Sequence, residues 1–149
     1  MSTGEFCTRE VVIAEKTSSI LEVAQLMREY HVGDVIVVEQ RDEEKVPVGI
    51  ITDRDIVVEV IAQGVDLDAV TAGDVMSYEL LLAGEKDGIW QTLLQMSTKG
   101  VRRVPVVNDQ GGLVGILAVD DMMELLAEEL NLLARIPSSS HDRERKKLG

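Results

Sequence analysis

The chain has 149 residues, a formal net charge of −12, 45% apolar residues and only 3% aromatics. That length suits one compact domain or two small ones sharing a core, and the core must be aliphatic. The charge argues against polyanionic partners such as nucleic acid or an anionic membrane surface, and the scarcity of aromatics argues against base-stacking platforms.

The opening Met-Ser-Thr-Gly-Glu-Phe has no basic or apolar leader region, and no apolar run reaches about 18 residues, so a cytoplasmic location is expected. Cys7 is the single cysteine, which forbids an intrachain disulfide, and His31 and His141 are too far apart to read as a zinc pattern. A short strand is expected over 11–14. A helix follows, capped by Ser18 or Ser19, with Ile20, Val23, Ala24 and Met27 on one stripe. His31 falls where this helix hands over to a strand, and reads as a surface turn residue. Residues 35–38 form a continuous apolar strand, and 46–51 its hairpin partner across a polar turn over 40–45. Strands with so little alternation are covered on both faces. A second helix is expected over 53–62, with Gly64 as its stop.

The same order then returns. Laying 101–107 under 32–38 gives an offset of 69, which sets Thr8 on Ser77, Val12 on Leu81, Ile20 on Ile89 and Met27 on Met96. Past the hairpin the offset falls to 66, with Gly49 on Gly115 and Asp55 on Asp121. A longer hairpin loop in the first copy, 40–45 against 108–112, accounts for the difference. The second copy has a strand over 80–83, a helix striped by Ile89, Leu93 and Met96 with Trp90 and Leu94 beside it, a hairpin, and a helix over about 120–134. Two β-α-β-β-α units, each needing the other to bury its apolar face, define an α/β fold with pseudo-two-fold symmetry. The expected divisions are 7–66, a connector over 67–74, 75–134, and a disordered tail over 135–149.

Each unit ends on a strand-to-helix corner, Gly49-Ile-Ile-Thr-Asp-Arg-Asp55 and Gly115-Ile-Leu-Ala-Val-Asp-Asp121. Thr52 and Asp55 fit two readings. One is a capping box, in which each satisfies the other's backbone. In the other, the carboxylate grips ribose hydroxyls while the threonine and the helix N-terminus meet a phosphate. Arg54 at that N-terminus opposes the helix dipole, which a nearby phosphate would relieve. Arg102 and Arg103 start a strand and point to opposite faces, as a solvated sheet end or as a phosphate clamp. Gly49 and Gly115 allow close approach, either of a ligand or of packed backbone. Met122, Met123, Leu125, Leu126, Leu130 and Leu133 form a long stripe, either core or a dimer face.

The repeat order, the Arg-Val-Pro-Val-Val strand over 103–107 and the Gly-Ile-Ile-Thr-x-x-Asp corner resemble the cystathionine β-synthase (CBS) domain in tandem, the Bateman module. Thr71-Ala72-Gly73-Asp74 and the short chain are similar to a stand-alone bacterial group that includes hypoxic-response CBS proteins. The resemblance implies a non-catalytic energy or redox sensor that binds an adenosyl ligand (AMP, ADP, ATP, NAD or S-adenosylmethionine) between the repeats. It also implies a homodimer, an unidentified partner protein and no obligatory cofactor. A structural protein that has lost useful nucleotide affinity is the alternative. Carried onto this sequence, the resemblance implies one site from Gly49, Ile51, Thr52, Asp53, Arg54, Asp55, Ser77, Leu81, Val101, Arg102, Arg103 and Pro105. A weaker second site would draw on Thr8, Val12, Gly33, Asp34, Ala118 and Asp121. There Ala118 lacks a hydroxyl, Asp34 would repel phosphate, and no cation is present. No catalytic or metal-binding residues are expected.

Overall fold

The computed structural model describes the backbone of residues 1–148 and the side chains of residues 1–137. Residues 1–117 make one compact unit and 118–149 a second.

In the first copy β1 (Ile13–Glu15) leads into α2 (Ile20–Tyr30), which follows a short N-terminal turn, α1 (Thr3–Phe6). Ser19 caps α2, its hydroxyl accepting from the Glu22 N–H at 3.1 Å. The expected stripe is the buried face: Ile20 and Val23 are fully enclosed and Met27 nearly so, and each such side chain stabilises the fold by about 1.5–3 kcal/mol. The helix ends at His31, which adopts a left-handed conformation with φ 53°. β2 (Asp34–Arg41) then pairs parallel to β1 and antiparallel to β3 (Glu44–Thr52). Val35, Ile36, Val37 and Val38 are all buried, as their lack of alternation implies.

The hairpin differs from expectation. Pairing continues through Gln40–Lys45 and Arg41–Glu44, so the extra residues lengthen the strands and leave only a tight turn, with Asp42 left-handed at φ 54°. The register shifts between Val37 and Val38, where the partner changes from Gly49 to Pro47. A bulge accommodates the proline, which cannot donate to a ladder. The expected second helix is also altered: α3 (Asp53–Asp55) passes into a π-helical segment, Ile56–Ile61, where the Ala62 N–H reaches back five residues to Val57 O at 2.8 Å.

After α4 (Ala72–Val75), the second copy repeats the plan with β4 (Ala83–Gly84), α5 (Ile89–Lys99), β5 (Arg103–Val107) and β6 (Leu113–Ala118), in the sheet order β4-β5-β6. Ile89 and Met96 are buried, but Trp90 and Leu94 stand exposed, and Thr92 takes the third inward position. Gly100 ends α5 at φ 68°, at the position equivalent to His31.

The copies interlock through backbone. Thr8 exchanges two hydrogen bonds of 2.9 Å with Ile116, and Ser77 exchanges bonds of 3.0 and 3.2 Å with Ile50. Thus the lead-in of each copy joins the last strand of the other. The same exchange occurs at the short turns. Thr3 and Gly4 donate to Asp87 and Glu85, while Ala72 and Gly73 donate to Ser18 and Lys16, all within 2.7–2.9 Å. Gly4 and Gly73 sit at the offset of 69, and a Cβ on Gly4 would lie 2.9 Å from the Glu85 carbonyl oxygen.

The second unit is α6 (Val119–Leu148), preceded by Ala118. Met122 is buried, whereas Met123, Leu126, Leu130 and Leu133 of the expected stripe are exposed, and Leu125 is half-buried. Where a disordered tail was expected over 135–149, the backbone is helical as far as Leu148, and side chains beyond residue 137 lie outside the described residues. No described helix is long and apolar enough to cross a membrane.

Candidate functional site

The corner at the end of β3 is built by local chemistry. Thr52 Oγ1 accepts from the Asp55 N–H at 3.1 Å, and Asp55 Oδ2 accepts from the Thr52 N–H at 3.0 Å. The capping box is therefore complete. It does not exhaust either group: a hydroxyl that accepts still has a proton to donate, and a carboxylate has further lone pairs.

This corner opens on a crevice of about 260 Å³ lined by Asp34, Ile50, Thr52, Glu79, Leu80, Leu81, Val101, Arg102 and Arg103. The crevice thus joins the last strand of the first copy to the lead-in and second-strand start of the other, because Ser77 fastens to Ile50 just before Leu81. Ile50, Leu80, Leu81 and Val101 give it apolar wall, and five polar or charged side chains converge on it, a combination that ligand sites generally require. Of the sequence-derived set, Thr52, Leu81, Val101, Arg102 and Arg103 line it together.

The rest of that set lies elsewhere. The Ile51 side chain is fully buried in the core, and by alternation along the strand Ile50 faces the crevice instead. Pro105 is buried within β5. Gly49 is packed against Met76, whose Cγ lies 2.7 Å from where a Cβ would be, so its smallness serves repeat packing. Gly115 is filled likewise, by Cys7 and the Thr8 carbonyl oxygen, 2.6 and 2.7 Å from a built Cβ. Asp53 and Arg54 are exposed, and Asp53 Oδ1 accepts from the Arg54 N–H at 2.8 Å. Asp55 is half-buried beside the crevice wall, and Ser77 is exposed, contributing backbone.

Two members of the weaker set are displaced. Asp34 is the register partner of Thr52, so it lines this same crevice, and Gly33 sits next to it, accepting from the Asp53 N–H at 2.9 Å. The repeat alignment had put Asp34 in the opposite crevice. The antiparallel hairpin overrides that, because the start of β2 and the end of β3 share one edge. Val12 packs against the first copy's core. Thr8 is exposed, Ala118 is buried at the end of β6, and Asp121 is exposed in the first turn of α6.

Asp34 and Arg103 are equivalent positions of the two copies, and they meet. Arg103 Nε lies 2.8 Å from Asp34 Oδ2, with the Asp34 side chain 14% exposed. The approach is not along the N–H direction, and Oδ2 receives no well-directed hydrogen bond. Burial raises the Asp34 pKa above the usual aspartate value, Arg103 opposes the shift, and Asp53 adds to it.

A larger groove of about 690 Å³ runs between α2 and the β1 edge, lined by residues such as Ala14, Lys16, Glu22, Leu26 and Glu39. Its Lys16 is drawn to Glu39 at 3.6 Å, and Glu39 is also bound by Arg41 at 2.8 Å. It gathers none of the corner residues. Among the described residues no cluster of three His, Cys, Asp or Glu could hold a metal ion.

Paired β-α-β-β-α units whose lead-ins are exchanged, with a crevice at the shared edge, define a tandem α/β repeat. The CBS domain family model matches residues 4–62 and 72–128, and the chain belongs to that family. A Methanopyrus kandleri protein is 38% identical over 84% of the chain, which spans 62% of that relative's length. Hypoxic response protein 1 of Mycobacterium tuberculosis is 31% identical over 86% of this chain and 82% of its own. Among solved structures, a CBS domain protein of Pyrobaculum aerophilum complexed with AMP superposes with a TM-score of 0.71 at 31% identity, over 81% of this chain and 89% of that one. The CBS domain pair of protein MJ0100, in complex with methylthioadenosine and S-adenosyl-L-methionine, also gives 0.71, at 25% identity over 85% of this chain and 99% of that one.

Proposed function

We propose that the chain is a non-catalytic regulatory module that binds an adenosine-containing ligand in the crevice at Thr52 and Arg103, and that a separate protein reads its occupancy. The observation that carries the reading is the convergence of both copies on one crevice. There the Thr52 corner of one copy meets Leu81, Val101, Arg102 and Arg103 of the other. Apolar walls suit a purine, Thr52 has a proton to donate, and Asp55 keeps lone pairs for ribose hydroxyls. Relatives of similar fold bind AMP, methylthioadenosine and S-adenosylmethionine. A ligand bridging the copies changes how they pack only to the extent that it binds one packing better.

Exposed Val57, Val58 and Ile61 on the π-helical segment give the module an unpartnered apolar face. We assign that face to a homodimer in the cytoplasm, checked by light scattering. The second reading, an interaction protein without nucleotide affinity, draws on the completed capping box, which needs no ligand to satisfy Thr52 and Asp55.

A thermal-shift panel of adenosine, methylthioadenosine, S-adenosylmethionine, AMP, ADP, ATP and NAD separates the two. A ligand that binds only the folded state raises the melting temperature, by about 2.7 kcal/mol of stability at a hundredfold excess over Kd. No shift with any of the seven supports the interaction protein.

A further inference from the structure

We infer that the crevice selects a nucleoside carrying a neutral or positively charged tail over nucleotides carrying a phosphate chain, with Asp34 as the residue that sets this selectivity. The inference rests on the proposed adenosyl site and narrows its ligand class.

The crevice holds two guanidiniums, Arg102 and Arg103, against two carboxylates, Asp34 and Glu79. Its formal charge is therefore close to zero, within a chain of −12. A phosphate seeking Arg103 must approach a cation that already has a carboxylate oxygen 2.8 Å from its Nε. A phosphate that reaches the guanidinium from the crevice also comes close to Asp34, since both line it. That carboxylate is largely shielded from water, so its repulsion is poorly screened. Arginine recognises phosphate best through its paired N–H groups, and here a carboxylate oxygen already lies against one side of that fork.

Asp34 also offers something positive to an uncharged or cationic ligand. Its Oδ2 is buried without a well-directed hydrogen bond. Groups left in that state gain from a donor supplied by a partner. A ligand hydroxyl or amine meets the part of the carboxylate that stays exposed to the crevice, and a positively charged tail meets a carboxylate whose charge Arg103 only partly offsets. The volume of about 260 Å³ fits a single nucleoside with a short tail better than a dinucleotide, since it lies just below the usual range for small-molecule pockets.

Isothermal titration of the full chain with adenosine, methylthioadenosine, S-adenosylmethionine, AMP, ADP and ATP tests this. In the wild type, ATP should bind at least about tenfold more weakly than methylthioadenosine, with AMP and ADP between them. Asp34→Asn keeps the shape and removes the charge, and should bring ATP to within about threefold of methylthioadenosine, chiefly by tightening ATP. The wild-type ranking stands without any variant, so misfolding of the substituted chain cannot rescue the idea. ATP as the tightest wild-type ligand overturns the selectivity while leaving the adenosyl site intact. An unchanged gap in Asp34→Asn removes Asp34 as its cause. Absence of binding by all six ligands overturns the site and the selectivity together.

Discussion

The two copies agree in their backbone joints and disagree where their side chains meet. Gly4 and Gly73 donate to equivalent carbonyls, and Thr8 and Ser77 pair with equivalent strands at nearly equal distances. Ile20 and Ile89 are both fully enclosed. Yet at the position where the copies face each other directly, one carries Asp34 and the other Arg103, in contact at 2.8 Å. Helix ends diverge as well, Ser19 and His31 bounding α2 where Gly88 and Gly100 bound α5. The duplication fixes a frame by hydrogen bonding and burial. Charge is free to differ because the frame does not depend on it.

The strongest way to break that comparison is to hollow the frame. Ile20→Ala and Ile89→Ala should each cost about 2–5 kcal/mol in denaturant unfolding, and by similar amounts. A large difference between them would show that the halves are not energetically equivalent. Next comes the joint at Gly49. Gly49→Ala should cost about 1–3 kcal/mol by crowding Met76, and the added Met76→Ala should recover part of it in a double-mutant cycle. Simple additivity would contradict the contact. The helix ends give smaller effects of opposite sign. Gly100→Ala should cost about 1 kcal/mol, because Ala fits the left-handed region poorly, while His31→Gly should gain up to about 1 kcal/mol. Loss of stability in His31→Gly would point to an unseen role for the imidazole.

The smallest effect is a pH dependence. Burial raises the Asp34 pKa in the folded chain, so over the interval between its unfolded and folded values the folded state holds a proton the unfolded state has lost. Stability from this group therefore falls as pH rises through the folded value. Asp34→Asn should lack that fall, so the melting temperature of the variant minus that of the wild type should grow from acid to neutral pH. A constant difference would mean that Arg103 fully neutralises the burial cost.

Element order, the α2 stripe and a serine cap at Ser18 or Ser19 were legible because periodicity and capping are local. So was the pairing of Thr52 with Leu81, Val101 and the two arginines, through the resemblance and the repeat alignment. The alignment could not show that Asp34 shares their crevice. That follows from the hairpin register, which sets the start of β2 beside the end of β3. Strand alternation turns the Ile50 side chain, not that of Ile51, to the crevice, and a shift of one residue selects the opposite face. The turns at Thr3 and Ala72 were missed although Ser2-Thr-Gly-Glu and Thr71-Ala-Gly-Asp lie 69 apart and carried the signal. The π-helical segment left no trace in the pattern, since its apolar residues read equally well as an α-helix.

Occupancy of the crevice at Thr52 and Arg103 by ligand is the property on which the proposed function and the selectivity both depend. An amide NMR titration of the wild-type chain with methylthioadenosine reads this directly. Shifts should concentrate on Ile50–Thr52, Leu80–Leu81 and Val101–Arg103. Shifts centred instead on the groove beside Lys16, Glu22 and Glu39, with the Thr52 corner unmoved, would contradict it.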